Sequence, residues 1–95
     1  MANYKISQVA KEDLIRIHQY GFEKFGEIQA DRYVDNFFQQ FELIAKNPHM
    51  FESVDYFKLG YRRCPCGSDS IFFRTSNESV EIMTIVGRQD LNELF

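Results

Sequence analysis

The sequence predicts an α+β domain: a short N-terminal strand, then an antiparallel helical hairpin packed on a small antiparallel β-sheet, in the order β-α-α-β-β-β. Three observations carry this. Apolar residues recur at helical spacing over Gln8–Phe25 and again after Gly26. Asn47-Pro48 closes the helical half, because the residue before a proline is pushed out of helical geometry. From residue 57 onward the period drops to two, with turn residues at Gly67-Ser68-Asp69 and Ser76-Asn77-Glu78. Ninety-five residues, 44% of them apolar and ten of them Phe, bound the chain to one domain, 1–95, with one aromatic-rich core.

Residues 3–7 alternate Tyr4 and Ile6 with polar neighbours, and Ser7 is placed to cap the helix that follows. In Gln8–Phe25 the stripe is Ala10, Leu14, Ile17 and Gly21, widened by Val9, Tyr20 and Phe25. Glu12 and Asp13 suit the positive end of the helix dipole, and Glu12 is spaced to pair with Arg16. Beyond Gly26 comes a broader stripe of Ala30, Tyr33, Val34, Phe37, Phe38, Phe41, Ile44 and Ala45. These phenylalanines read as core and not as a ligand pocket. So short a link predicts antiparallel helices. Residues 48–56 have no clean period and read as a crossing loop with one helical turn.

The strand at 57–66 places Leu59, Tyr61 and Arg63 on one face and Lys58, Gly60, Arg62 and Cys64 on the other, with Pro65 at its end or on an edge. Residues 70–75 set Ile71 and Phe73 against Phe72 and Arg74. Residues 79–86 set Val80, Ile82, Thr84 and Val86 against Glu81, Met83 and Ile85. The hairpin over 59–74 is the middle of the sheet. The tail ends in Leu91, Leu94 and Phe95, apolar residues with little left to cover, which dock either on a partner or back on the helices.

Charge is uneven. Residues 1–55 hold six Lys/Arg against nine Asp/Glu, residues 56–88 hold five (Lys58, Arg62, Arg63, Arg74, Arg88) against three, and the whole chain carries −3. An acidic chain is a poor general nucleic-acid binder, since that affinity comes from cations displacing counterions. No direct sequence-specific nucleic-acid binding is therefore expected, while the basic sheet half suits an acidic protein segment or a single phosphate. The opening residues lack the layout of a signal peptide and no apolar run reaches a membrane span, so a cytoplasmic chain without membrane contact is expected.

Cys64 and Cys66 are too few for a disulfide scaffold and supply only half a zinc site, with His18 and His49 in distant segments as the remaining nitrogen ligands. They read as buried or turn thiols, and neither metal nor cofactor is expected. No nucleophilic triad, Gly-rich phosphate loop or carboxylate pair assembles by plausible proximity.

Taken together, Tyr4, Ile6, Ala10-Lys11-Glu12-Asp13-Leu14, Ile17, Tyr20, Phe25-Gly26, Gln29-Ala30, Tyr33 and Pro48 carry a resemblance. So do Gly60-Tyr61-Arg62, Gly67-Ser68, Ile71-Phe72-Phe73, Ile82, Ile85, Arg88 and Asp90. In order and spacing, over nearly the whole chain, they resemble the RelE/ParE toxin superfamily, and within it the ParE branch of bacterial type II toxin–antitoxin systems. The resemblance implies two antiparallel helices on a small sheet and a ParD-like antitoxin whose flexible part wraps the toxin. It also implies plasmid stabilisation and inhibition of DNA gyrase by trapping it on DNA. Many relatives have a His after the Gly-Ser turn and another near the end of the last strand; this chain has Asp69 and Gly87 there, which takes away a histidine acid or base.

Under that resemblance Arg62, Arg63, Arg74, Arg88, Leu91, Leu94 and Phe95 are the expected target-binding residues, and Tyr61, Arg62 and Arg74 the expected antitoxin-binding ones. No residue is assigned a catalytic role, and the chain is read as a protein inhibitor rather than an enzyme. The alternative is a ribosome-dependent mRNA endoribonuclease of the RelE type, which makes Tyr61, Arg62, Arg63 and Arg74 stabilisers of a phosphate transition state. A third reading is a module that only binds its antitoxin. A solvated sheet face with scattered ion pairs is the bland account of the same arginines.

Overall fold

Ser7 ends a three-residue strand, β1 (Tyr4–Ile6), and opens α1 (Gln8–Phe25). Its hydroxyl accepts the Ala10 N–H at 3.0 Å and donates to the Met83 carbonyl at 2.7 Å, so one side chain caps the helix and ties it to the sheet. The structure, a computed structural model, describes residues 3–56, 58–77 and 79–87. Gly26 alone separates α1 from α2 (Glu27–Lys46): its N–H closes α1 on the Phe22 carbonyl at 3.0 Å, and its carbonyl accepts the Ala30 N–H at 3.1 Å. That double duty requires φ +90°, which a residue without Cβ adopts freely.

After α2 come a single 3-10 turn (Pro48–Met50), β2 (Glu52–Ser53), β3 (Arg62–Cys66), β4 (Asp69–Ser76) and β5 (Ser79–Gly87). The helical pair and the antiparallel β3-β4-β5 meander stand where the sequence places them. The sheet has five strands in the order β1-β5-β4-β3-β2, and β1 joins β5 in parallel, Tyr4 opposite Val80 and Ile6 opposite Ile82. The helical turn expected within residues 48–56 is the 3-10 turn, but β2 also runs antiparallel to β3, a reversal that reading the segment as a crossing loop leaves out. The strand expected from residue 57 starts at Arg62; residues before it close a loop, in which the Val54 N–H meets the Tyr61 carbonyl at 2.9 Å and the Gly60 N–H meets Asp55 Oδ1 at 2.7 Å.

Between the helices and the sheet lie Ala10, Leu14 and Ile17 of α1 and Phe37, Phe41 and Ile44 of α2, against Cys64, Cys66, Ile71, Phe73, Val80, Ile82 and Ile85. Val9, Tyr20 and Phe25, expected to widen the α1 stripe, are more than half exposed. The opposite sheet face carries a second small cluster of Val54, Phe72 and Val86, flanked by Tyr61. β5 feeds both because of a bulge: Phe72 faces Thr84 while Phe73 faces Ile82, leaving Met83 as the extra residue. Beyond it the faces exchange, so Ile85 enters the main core and Val86 leaves it, the reverse of simple alternation. Among the described residues no helix is long and apolar enough to cross a membrane.

Candidate functional site

Arg62 and Arg63 are neighbours in β3, so strand alternation sends them to opposite faces of the sheet. Arg62 lies on the helix side, half-buried, where Nη1 donates to the Phe51 carbonyl at 2.7 Å and so fixes the connection beside the Phe51–Phe73 ring pair. Arg63 lies on the helix-free face, its Nε donating to Ser70 Oγ and its Nη1 to Glu52 Oε1, both at 2.9 Å. Arg74 is on that same face, its Nε 2.9 Å from Glu81 Oε1 on the neighbouring strand. Tyr61 borders it with Lys58 Nζ 5.6 Å from its ring centroid, a cation–π contact. The helix-free face therefore unites Tyr61, Arg63 and Arg74 and separates them from the Arg62 guanidinium. Arg88, Leu91, Leu94 and Phe95 lie outside the described residues.

The two cysteines sit on the helix side of β3 and are buried. Burial first, then the neighbouring Cys66, pushes the Cys64 thiol up to about 11; burial followed by the Asp69 charge raises Cys66 as well. Protonated, hydrogen-bonded thiols are poor nucleophiles and poor metal ligands, and Cys64 Sγ donates to Gln40 Oε1 at 3.4 Å. His18 is 2.8 Å from Asp31 across the helical hairpin, and among the described residues no three His, Cys, Asp or Glu side chains form a metal-holding group.

Sequence reasoning passed over a second feature. A cleft of ≈ 460 Å³ opens between α1, α2 and the β3–β4 turn, lined among others by Arg16, Tyr20, Phe25, Gln29, Tyr33 and Asp69. In it Tyr33 Oη donates to Asp69 Oδ2 at 2.5 Å, above the turn residue Gly67. Gly67 has φ +62°, and a Cβ there would stand 2.7 Å from Tyr33 Oη, so only glycine lets the ring close over the turn. Nothing in the spacing of Tyr33 and Asp69 along the sequence signals this pairing. Here the carboxylate holds a phenol.

Burial, and then the hydrogen bond to Asp69, raises Tyr33 from its ordinary 10.0 to about 12. The folded chain thus holds this proton more tightly than the unfolded chain does. Stability is full below pH 10.0 and falls as pH rises towards 12. Denaturant midpoints taken from pH 9 to 12 are expected to fall more steeply for the native chain than for Tyr33→Phe, which has no phenol to ionise; parallel curves would refute this assignment.

The family model describing the ParE toxin of the type II toxin–antitoxin system parDE matches residues 4–91. A Caulobacter vibrioides protein named Toxin ParE1 is 35% identical over 92 residues, covering 97% of this chain and 94% of that protein. A Mycobacterium tuberculosis protein of the same name is 24% identical, covering 90% of this chain and 88% of its own length. Among solved structures, a chain from the chromosomal ParDE toxin–antitoxin system of P. aeruginosa superposes with a TM-score of 0.80 at 19% identity, over 92% of this chain and 96% of that one. A chain of the RelBE2 toxin–antitoxin complex of Mycobacterium tuberculosis does so with 0.64 at 15% identity, over 92% and 98%. At these identities the two structures establish the shared fold.

Proposed function

This chain belongs to the ParE toxin family of type II toxin–antitoxin systems, and from that premise we propose that it inhibits DNA gyrase in the cytoplasm by trapping it on cleaved DNA, and that a ParD-like antitoxin silences it by direct binding. It works as a binder. It holds the cleaved-DNA state of gyrase more tightly than the resting enzyme and shifts the population toward that state without itself carrying out a reaction.

The observation that carries this reading is the arrangement of Arg63 and Arg74 on the helix-free face. Each meets one carboxylate at its edge, Glu52 and Glu81, in ion pairs 2.9 Å long with 54% and 31% of the glutamate side chain exposed. Such surface pairs contribute about 0–1 kcal/mol. A partner's acidic segment can therefore displace them and offer bidentate, better desolvated contacts in return. The alternative ribonuclease chemistry lacks similar support: Asp69, where the resemblance expects a histidine, is engaged by the Tyr33 phenol, whose pKa burial pushes up to about 12.

The test is incubation with gyrase, ATP and relaxed plasmid, beside a parallel reaction with ribosomes and messenger RNA. Supercoiling is expected to fail, with linear DNA trapped on gyrase, while the messenger stays intact; adding the antitoxin restores supercoiling. Cleaved messenger with normal supercoiling would sink the proposal in favour of the RelE-type activity.

A further inference from the structure

The charge in the cleft between the helical hairpin and the β3–β4 turn is not balanced by the described residues around it. Asp69 is half-buried there, and its Oδ2 accepts a hydrogen bond from Tyr33. A phenol that keeps its proton satisfies a lone pair without neutralising the carboxylate, and Tyr33, pushed up to about 12 by burial and then by Asp69 itself, keeps it. Cys66 beside them is raised too, by burial and then by the same charge. Arg16, the cation among the lining residues, is taken by Asp13 on its own helix at 3.2 Å. Among the described residues no Lys, Arg or His forms an ion pair with Asp69. A carboxylate partly withdrawn from water and left without a cation costs free energy, which a cation entering the cleft from a partner recovers.

The walls suit a particular cation. Tyr20 and Phe25 of α1 line the cleft and are 61% and 65% exposed. Lys24 Nζ already stands 5.8 Å from the Tyr20 ring centroid, whereas Phe25 has no ring or cation partner among the described residues. A planar guanidinium stacks on an open aromatic ring and still donates to a carboxylate, a combination that a compact ammonium achieves less well. The volume, ≈ 460 Å³, is that of a site that encloses a small group and not a folded surface.

We propose that this cleft anchors a basic side chain of the ParD-like antitoxin, arginine before lysine, with Asp69 as its counter-ion and Phe25 as its stacking wall. The proposal rests on the reading under which the chain holds gyrase on cleaved DNA, and that reading selects the occupant. Cleaved DNA is a polyanion. Residues 1–55, which include the helical hairpin, hold six Lys/Arg against nine Asp/Glu, while residues 56–88 hold five against three. A DNA-loaded target therefore repels the helical side and attracts the helix-free face that carries Arg63 and Arg74. The cleft belongs to the helical side, so its negative charge is left to the other partner, the antitoxin.

The experiment compares the wild-type chain with Asp69→Asn, which keeps an acceptor for Tyr33 and removes the charge. Antitoxin affinity, inhibition of gyrase supercoiling and unfolding temperature are measured for both, and each arginine and lysine of the antitoxin is replaced in turn by methionine. Asp69→Asn is expected to bind the antitoxin about thirtyfold more weakly, the size of a lost desolvated charge pair, and to inhibit gyrase within about twofold of wild type. One antitoxin variant should show the same loss against wild type and little against Asp69→Asn, a coupling that identifies the side chain in the cleft. Unchanged antitoxin affinity would overturn the proposal, as would a loss to which no antitoxin cation is coupled. Weaker gyrase inhibition with antitoxin affinity kept would give the cleft to the target. A lower unfolding temperature with both kept would give the Asp69 charge to this chain's own residues 88–95, which contain Arg88 and follow Gly87 at the cleft edge; either result overturns the proposal. A wild-type chain that binds the antitoxin but leaves gyrase untouched ends the gyrase reading, while the antitoxin coupling still decides the cleft.

Discussion

Phe41→Ala is expected to be the most damaging single substitution in the described chain. Phe41 is fully buried, and its ring touches three others: Tyr4 of β1 at 5.6 Å between centroids, Phe38 at 5.5 Å and Phe37 at 6.5 Å. It therefore joins the second helix to the parallel edge strand, which is only three residues long and depends on such contacts for its place. Truncating a buried Phe removes its transfer free energy and leaves a cavity that the rigid α2 and β1 backbones close only in part, a loss of about 3–5 kcal/mol. Domains of this size have about 5–15 kcal/mol in total. At about 4–8 °C per kcal/mol the thermal midpoint should fall by roughly 12–40 °C. Phe38→Ala provides the control, since that ring is 38% exposed and should lose less than half as much. Similar losses for the two variants would mean that the aromatic cluster is not organised around Phe41.

The helical half of this fold was legible because its signals are local. Ala10, Leu14, Ile17 and Gly21 are spaced for one buried face and are buried, and Gly26 and Pro48 punctuate the helices through backbone restrictions of their own. Where the reading departed, the cause lies in contacts between distant segments. Alternation along β5 holds only as far as Met83, and a bulge writes no residue-type signature that separates Thr84-Ile85-Val86 from a regular strand. Glu12 was spaced for Arg16, yet Arg16 turns to Asp13 at 3.2 Å while Glu12 accepts from Gln8, two arrangements of nearly equal energy on a helix surface. Alternation alone put Arg63 with Tyr61 and Arg62 with Cys64 on opposite faces; which face the helices cover, and that Arg63 and Arg74 share the other, comes only with the pairing of Arg62 to Phe73 and Arg63 to Phe72 across the strands. Tyr33 and Asp69, thirty-six positions apart, meet only after the hairpin folds under α2.

Asp13 is the residue whose role changed most between sequence and structure, and its replacement is the second large effect expected. Read as an acid favourable to the helix dipole, it instead reaches the sheet. Its Oδ2 accepts the Ile85 N–H at 3.0 Å and the Thr84 hydroxyl at 2.9 Å, just beyond the β5 bulge. A bulge leaves backbone groups without ladder partners; Ser7 takes up the Met83 carbonyl and Asp13 the Ile85 N–H, with the Thr84 hydroxyl as a further donor to Asp13, so α1 and the bulge define one another. Asp13→Ala leaves the N–H of an almost fully buried residue unsatisfied and should cost about 1–3 kcal/mol. Asp13→Asn keeps a carbonyl acceptor and should cost less. Arg16→Ala, which removes only the surface partner of Asp13, should cost no more than about 1 kcal/mol. Denaturant unfolding ranks the three variants, and amide exchange at Ile85 separates this account from a general weakening of α1. Protection of that amide should fall in Asp13→Ala by more than that of Ile71 on the adjoining strand. Uniform loss along both strands would show that Asp13 acts through the helix and not through the bulge.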